Sequence, residues 1–111
     1  MITVKFLLER KGYDVWSIPP DMLVYDALKI MAEKDVGALL VMEGDQLVGI
    51  FSERIYARKV ILKGRSSREI PVKDIMTYNL VCGTPEMTID RALELMSEAR
   101  VHHLPILDGE R

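Results

Sequence analysis

Apolar positions along the chain change their period in a fixed order. Val4, Leu7 and Leu8 follow Thr3 at helical spacing and stop before Gly12, which predicts a lead-in helix within residues 1–13 capped by Thr3. Val15–Ile18 is a short apolar run halted by Pro19-Pro20, a brief strand. Val24, Ala27, Leu28 and Met31 then recur at i, i+3, i+4 and i+7, an amphipathic helix that Gly37 is expected to end. Ala38–Met42 and Leu47–Phe51 flank the turn Glu43-Gly44-Asp45 and read as a β-hairpin. A further helix is expected from Glu53 to Lys63, with Ile55, Val60 and Ile61 facing inward and Gly64 closing it. The order is strand–helix–strand–strand–helix, and the helix between the first two strands makes them parallel.

The same order begins a second time. Shifted by 65 positions, Pro20–Met31 falls on Pro85–Met96, and nine of the 27 pairs between 20–46 and 85–111 are identical. In this second copy Leu80–Gly83 reads as the strand, Ile89 to Ala99 as the helix and Leu104–Leu107 as the next strand. Thr88 is placed to cap the helix, whereas the first copy carries Leu23 there and lacks that cap. The chain divides into a lead-in helix (1–13), a first copy (14–63), a linker (64–79) and a second copy (80–111). Arg111 aligns with Gln46, so nothing matches Leu47–Lys63 and the second copy reads as incomplete, the chain as a fragment. Two such units can share a core that neither fills alone, and the helix face Val24/Ala27/Leu28/Met31 is expected to need cover from a homodimer partner.

Composition narrows the function classes. Of 111 residues 49% are apolar and 29% charged, enough to bury a core. Fifteen Lys and Arg against seventeen Asp and Glu leave a charge of −2, not the basic excess of a nucleic-acid binder. One cysteine excludes a disulfide framework and a cysteine-built zinc site. No apolar run nears the roughly 20 residues that cross a bilayer. Charges at Lys5, Glu9, Arg10 and Lys11 break any signal-peptide pattern. A cytoplasmic protein with no membrane or nucleic-acid partner is expected.

Four segments carry a resemblance: Pro20–Met31 with its counterpart Pro85–Met96, Leu47-Val-Gly-Ile-Phe-Ser-Glu-Arg54, Val72-Lys-Asp-Ile-Met-Thr77, and Val101-His-His-Leu-Pro-Ile106. Together they resemble a pair of CBS domains (named for cystathionine β-synthase), the tandem α/β repeat called a Bateman module. The resemblance implies a regulatory homodimer that binds an adenosine-containing ligand in clefts between the copies: AMP, ADP, ATP, NAD(H) or S-adenosylmethionine. No cofactor is required. It further implies ligand contacts from Ile18, Pro20, Gly37 and Ala38, and from the stretch containing Gly49, Ser52, Arg54 and Ile55. In the second copy it points to His102, His103 and Pro105. The family places an Asp at residue 55 to accept from the ribose hydroxyls, and Ile55 can accept nothing.

Each of these positions also has a plain structural reading. Ser52 suits the cap of the helix that follows, with or without a ligand role, and its hydroxyl and nearby N–H groups favour a phosphate. Arg54, Arg58, Lys59, Lys63, Arg65 and Arg68 form a basic stretch best read as a solvated face, from which Arg54 or Arg58 could reach a phosphate. His102 and His103, adjacent on a strand, point to opposite faces and do not chelate one metal. Cys82 has no His or base at nucleophile spacing, and no phosphate-loop or hydrolase-elbow motif occurs. No constellation able to run a reaction is present, so the expectation is a non-catalytic module. Its rival is a CBS module that has lost its ligand and serves assembly alone.

Overall fold

The structure, a computed structural model, describes residues 2–11, 15–100 and 103–107. They fall into two compact units, residues 15–80 and a second that joins the amino-terminal segment to residues 81–111.

In residues 15–80, β1 (Ser17–Ile18), β2 (Ala38–Glu43) and β3 (Gln46–Ser52) form one sheet in the order β1-β2-β3. The first pair is parallel, with Ile18 opposite Val41, as a connecting helix requires. β2 and β3 are antiparallel, and a register shift at Val41/Met42 leaves Val48 as an extra residue on β3. Gly44 takes φ 62 in the two-residue turn, a conformation that lacks steric penalty only for glycine. A helix over Val24–Lys34 (α1) lies on the sheet with Val24, Ala27 and Met31 buried. Phe51, Leu39, Val41, Val60, Val72 and Ile75 complete the core around them.

That burial corrects one expectation. The face Val24/Ala27/Leu28/Met31 is covered inside the unit by hairpin and linker side chains, so it needs no partner chain. The exposed apolar residues of this unit lie elsewhere, at Val15, Trp16, Leu23, Tyr25, Ile61, Leu62 and Tyr78. Gly37 does not end α1 either. The helix stops at Lys34, and Asp35 turns the chain in left-handed conformation while its N–H bonds Met31 O.

The second helical segment differs from its expected form. A short α-turn, Glu53–Tyr56 (α2), passes into a π-helical stretch, Ala57–Ile61. In π winding residues five apart share a face, so Ile55 and Val60 both point toward the core and Ile61 swings out to 55% exposure. Gly64, at φ 67, closes the segment as expected. The linker then pairs with the unit on both sides: Val24 N donates to Ile70 O at 2.9 Å, and Ile50 and Thr77 exchange two bonds at 2.9 and 3.0 Å.

The other unit holds the lead-in helix Val4–Lys11 (α3) and the repeat helix Ile89–Ala99 (α4). Thr3 Oγ1 accepts from Phe6 N at 3.2 Å, the cap expected there. Gly12 lies outside the described residues. Val4 N and Lys5 N donate to Met87 O and Pro85 O, so the lead-in helix is stitched to the segment that enters α4. Neither Leu80–Gly83 nor Leu104–Leu107 forms a strand. They meet in a single parallel bridge, Gly83 with Ile106. Pro105 has no N–H to extend the ladder, though its carbonyl accepts from Gly83 N at 2.8 Å.

Candidate functional site

The junction of β3 with α2 gathers several of the expected residues. Register places Ala38 opposite Ser52 at the end of the hairpin. Ser52 is buried, and its Oγ accepts from Ile55 N at 3.2 Å, so the expected helix cap is present. Glu53 N donates to Gly37 O at 3.1 Å and ties the start of α2 to the start of β2. Ile55 is partly buried against the core, while Arg54 is exposed. Gly37, Ala38, Ser52, Arg54 and Ile55 are thus neighbours at one end of the sheet.

Ile18, Pro20 and Gly49 lie away from that junction, farther along the sheet. Ile18 and Gly49 both pair with Val41, three residues along β2 from Ala38 and so about 10 Å away at strand rise. The Ile18 side chain is buried in the core, and Pro20 O accepts from Lys73 N at 2.9 Å. Gly49 was expected to let a ligand approach the backbone. The group that approaches is Met76 of the linker: a methyl on Gly49 would overlap Met76 Sδ and stand 3.0 Å from Thr77 O.

Two residues that the sequence reading did not single out stand at the Ser52 end. The Glu53 carboxylate lies over Gly37, since a methyl on Gly37 would be 3.8 Å from Glu53 Oε1. Its signal was an acid directly after a capping serine, where the positive end of the helix favours it. Trp16 precedes the Ser17–Leu40 pair and its carbonyl accepts from Leu40 N, which places it level with the start of β2. Trp16 is 41% exposed, and its ring carries Lys34 Nζ 4.3 Å from the centroid. Trp16 carried no sequence signal of a site role, and Met76, though part of the linker segment that carries the resemblance, had no signal that paired it with Gly49.

The phosphate-cradling role expected of this turn is reduced. Two of its first three N–H groups, from Glu53 and Ile55, already have protein acceptors. In the second copy, His102 lies outside the described residues, His103 is exposed and Pro105 is buried. Burial pushes the Cys82 thiol up, the opposite of nucleophile activation. Among the described residues no three His, Cys, Asp or Glu side chains gather to hold a metal, and no helix is long and apolar enough to cross a membrane. The basic stretch is exposed throughout.

The family model for the CBS domain matches residues 10–60 and 72–111. A mitochondrial CBS domain-containing protein of Arabidopsis thaliana is 41% identical over 115 residues, covering 95% of this chain. This chain spans 55% of the plant protein's length. A protein with CBS domains from Burkholderia ambifaria has a TM-score of 0.92 at 44% identity, over 98% of this chain and 82% of that one. The CBS domain pair of another protein, solved in complex with 5′-methylthioadenosine and S-adenosyl-L-methionine, has a TM-score of 0.85 over 100% of this chain and 84% of that one. At 21% identity that last likeness concerns the fold alone.

Proposed function

The chain belongs to the CBS-domain family and carries its unit twice, and from that premise we propose that it is a non-catalytic module that senses an adenosine-containing ligand. The candidates are AMP, ADP, ATP, NAD(H) and S-adenosylmethionine, held in the first copy at the junction of Gly37, Ala38 and Ser52. The observation that supports this most is the junction itself. A buried hydroxyl, an exposed glycine backbone and the exposed indole of Trp16 stand at one end of the sheet. Occupancy would act by favouring one arrangement of the module over another, which requires different affinities in the two.

A second reading, a ligand-free assembly module, draws on Ile55 and on Met76 packed over Gly49. Titration of the five ligands by calorimetry and thermal shift separates the two. A ligand at 100 times its dissociation constant stabilises the fold by about 2.7 kcal/mol, and no shift with any of them would favour assembly alone. Ile55→Asp sharpens the test, because a hydrogen bond to a charged acceptor is worth about 1.5–3 kcal/mol. It should tighten adenosine ligands roughly 10- to 100-fold while lowering the ligand-free stability. Analogues without ribose hydroxyls should gain nothing from it.

We propose that the module is a homodimer in solution, packed through the end of the π-helical segment and not through the repeat helices. The surface that supports this is the exposed Ile61 and Leu62, at 55% and 76%, not the buried face of α1. A monomer by light scattering at tens of micromolar, a concentration of the order at which weak dimers form, would count against it. The single free thiol at Cys82 suits a reducing compartment such as the cytoplasm.

A further inference from the structure

We propose that the entrance of α4, residues 85–89, is a recognition site for an extended Ile-x-Val-Lys segment, and that a second copy of this chain fills it in trans by exchanging residues 2–5. The inference rests on neither the adenosine reading nor the Ile61/Leu62 surface.

The same docking occurs twice in the chain. In the second copy Val4 N donates to Met87 O at 2.8 Å, Lys5 N to Pro85 O at 2.7 Å and Ile89 N to Ile2 O at 3.1 Å. In the first copy Val72 N donates to Met22 O at 2.8 Å, Lys73 N to Pro20 O at 2.9 Å and Val24 N to Ile70 O at 2.9 Å. The docked segments match as well as the bonds do. One is Ile70-Pro71-Val72-Lys73 and the other Ile2-Thr3-Val4-Lys5, identical at three of four positions. Val72 and Val4 are both buried. Their seats are Pro20-Asp21-Met22 and Pro85-Glu86-Met87. Lys73 Nζ reaches Asp21 Oδ1 at 2.9 Å, and Lys5 and Glu86 bring the same charges to the corresponding positions. Three main-chain bonds, a covered valine and an acid beside the lysine position define what is recognised.

A second copy is the partner certain to carry that segment. Residues 2–5 and 85–89 lie in one compact unit, yet the whole of the other unit, residues 15–80, separates them in sequence. The segment of another chain makes the same bonds, and exchange of an identical element is a low-cost route to a dimer. The lead-in is the segment that exchanges, because it is held less firmly than the linker. Ile70, Val72 and Ile75 of the linker are all buried, whereas Ile2, the counterpart of Ile70, is 57% exposed. Less buried apolar surface means opening at lower free energy.

The test mixes two full chains, both with Cys82→Ala, one with Thr3→Cys and the other with Thr88→Cys. Thr3 and Thr88 form an antiparallel pair flanked by two of the bonds above, a position where Cα atoms lie about 4.5 Å apart. That is within the roughly 4.4–6.8 Å that disulfides span. Each chain has one thiol, so a 3–88 disulfide forms only between chains. The mixture is oxidised in glutathione buffer at roughly millimolar chain, the order of a tethered segment's effective concentration. Peptide mass mapping separates 3–88 from 3–3 and 88–88. Thermal melts check the fold, and a single chain with both cysteines should close its own 3–88 bond when dilute. Random pairing gives 3–88 half of all disulfides, and the expected share is well above half. Val4→Pro on the Thr88→Cys chain keeps the helix start, where proline is tolerated, but removes the bond to Met87 O. It should speed 3–88 formation about fivefold, the equivalent of one hydrogen bond. Val4→Asp on the Thr3→Cys chain should return 3–88 to half. A share of half in the first mixture overturns the inference. Capture that Val4→Pro does not speed, or an excess that survives Val4→Asp, overturns it too, and each leaves the adenosine reading standing.

Discussion

Asp35 and Arg100, 65 residues apart, hold the same left-handed backbone conformation at the carboxyl ends of equivalent helices, φ 55, ψ 50 and φ 56, ψ 44. Each N–H bonds back to the matching methionine carbonyl, Met31 O or Met96 O. The duplication therefore extends to a backbone detail at a position where the two side chains carry opposite charge. A non-glycine residue in this region bears a penalty of about 1–2 kcal/mol.

Glycine at either position should relieve that strain, offset by the greater freedom it has when unfolded. The net gain expected is about 0.5–1 kcal/mol. Asp35→Gly should gain more than Arg100→Gly, since the first removes an anion from the negative helix end and the second a favourable cation. Urea midpoints at constant m-value check both, and equal or negative gains would show that the side chains contribute more than the strain.

The two helix starts form a second matched pair. Thr88 Oγ1 accepts from Arg91 N at 3.1 Å, while Leu23, with nearly the same extended backbone, makes no such bond. Thr88→Ala should lower stability by about 1 kcal/mol. Leu23→Thr should raise it by a similar or smaller amount, because Leu23 is partly exposed and its backbone is already in capping geometry. Thermal melts of the two variants and the unaltered chain decide this.

Gly49→Ala tests the linker packing. The added methyl meets Met76 Sδ and Cγ and the Thr77 carbonyl, and the last belongs to backbone hydrogen-bonded to Ile50. Overpacking of this kind should destabilise by about 1–3 kcal/mol. Met76→Ala in the same chain should recover part of the loss, read as a non-additive double-mutant cycle in chemical denaturation. Full additivity would mean that the two side chains do not meet.

Cys82 supplies a pH signature. Burial raises its thiol above the ordinary value of 9.0, so the folded protein holds that proton more tightly than the unfolded chain. This contribution to stability is complete below pH 9.0 and is lost as pH rises through the folded thiol's higher value. Cys82→Ala should flatten the alkaline fall in melting temperature. Alkylation by iodoacetamide should reach half its maximal rate above pH 9.0, and a half-rate point at or below it would contradict the burial.

Local features were legible in the residues alone because their causes are local. Period-3.6 spacing from Val24 to Met31 and from Ile89 to Met96 determined both repeat helices. Thr3, Ser52 and Thr88 announced their caps, and Gly44 and Gly64 their turns, since each needs only its own neighbours in the chain. The 65-residue shift determined that the unit occurs twice. What tertiary structure decided involves contacts with no local signature. Gly37 looks like a helix stop in sequence, yet Asp35 takes the left-handed turn and leaves the Gly37 carbonyl to receive Glu53 N. Ile61 looks like a core residue until π winding, which puts Val60 on the buried face, turns it outward. Gly49 shows that something must come close, and only the folded linker shows that it is Met76. Pairing of Thr77 with Ile50 spans 27 positions, and no periodicity within either segment encodes a partner at that distance.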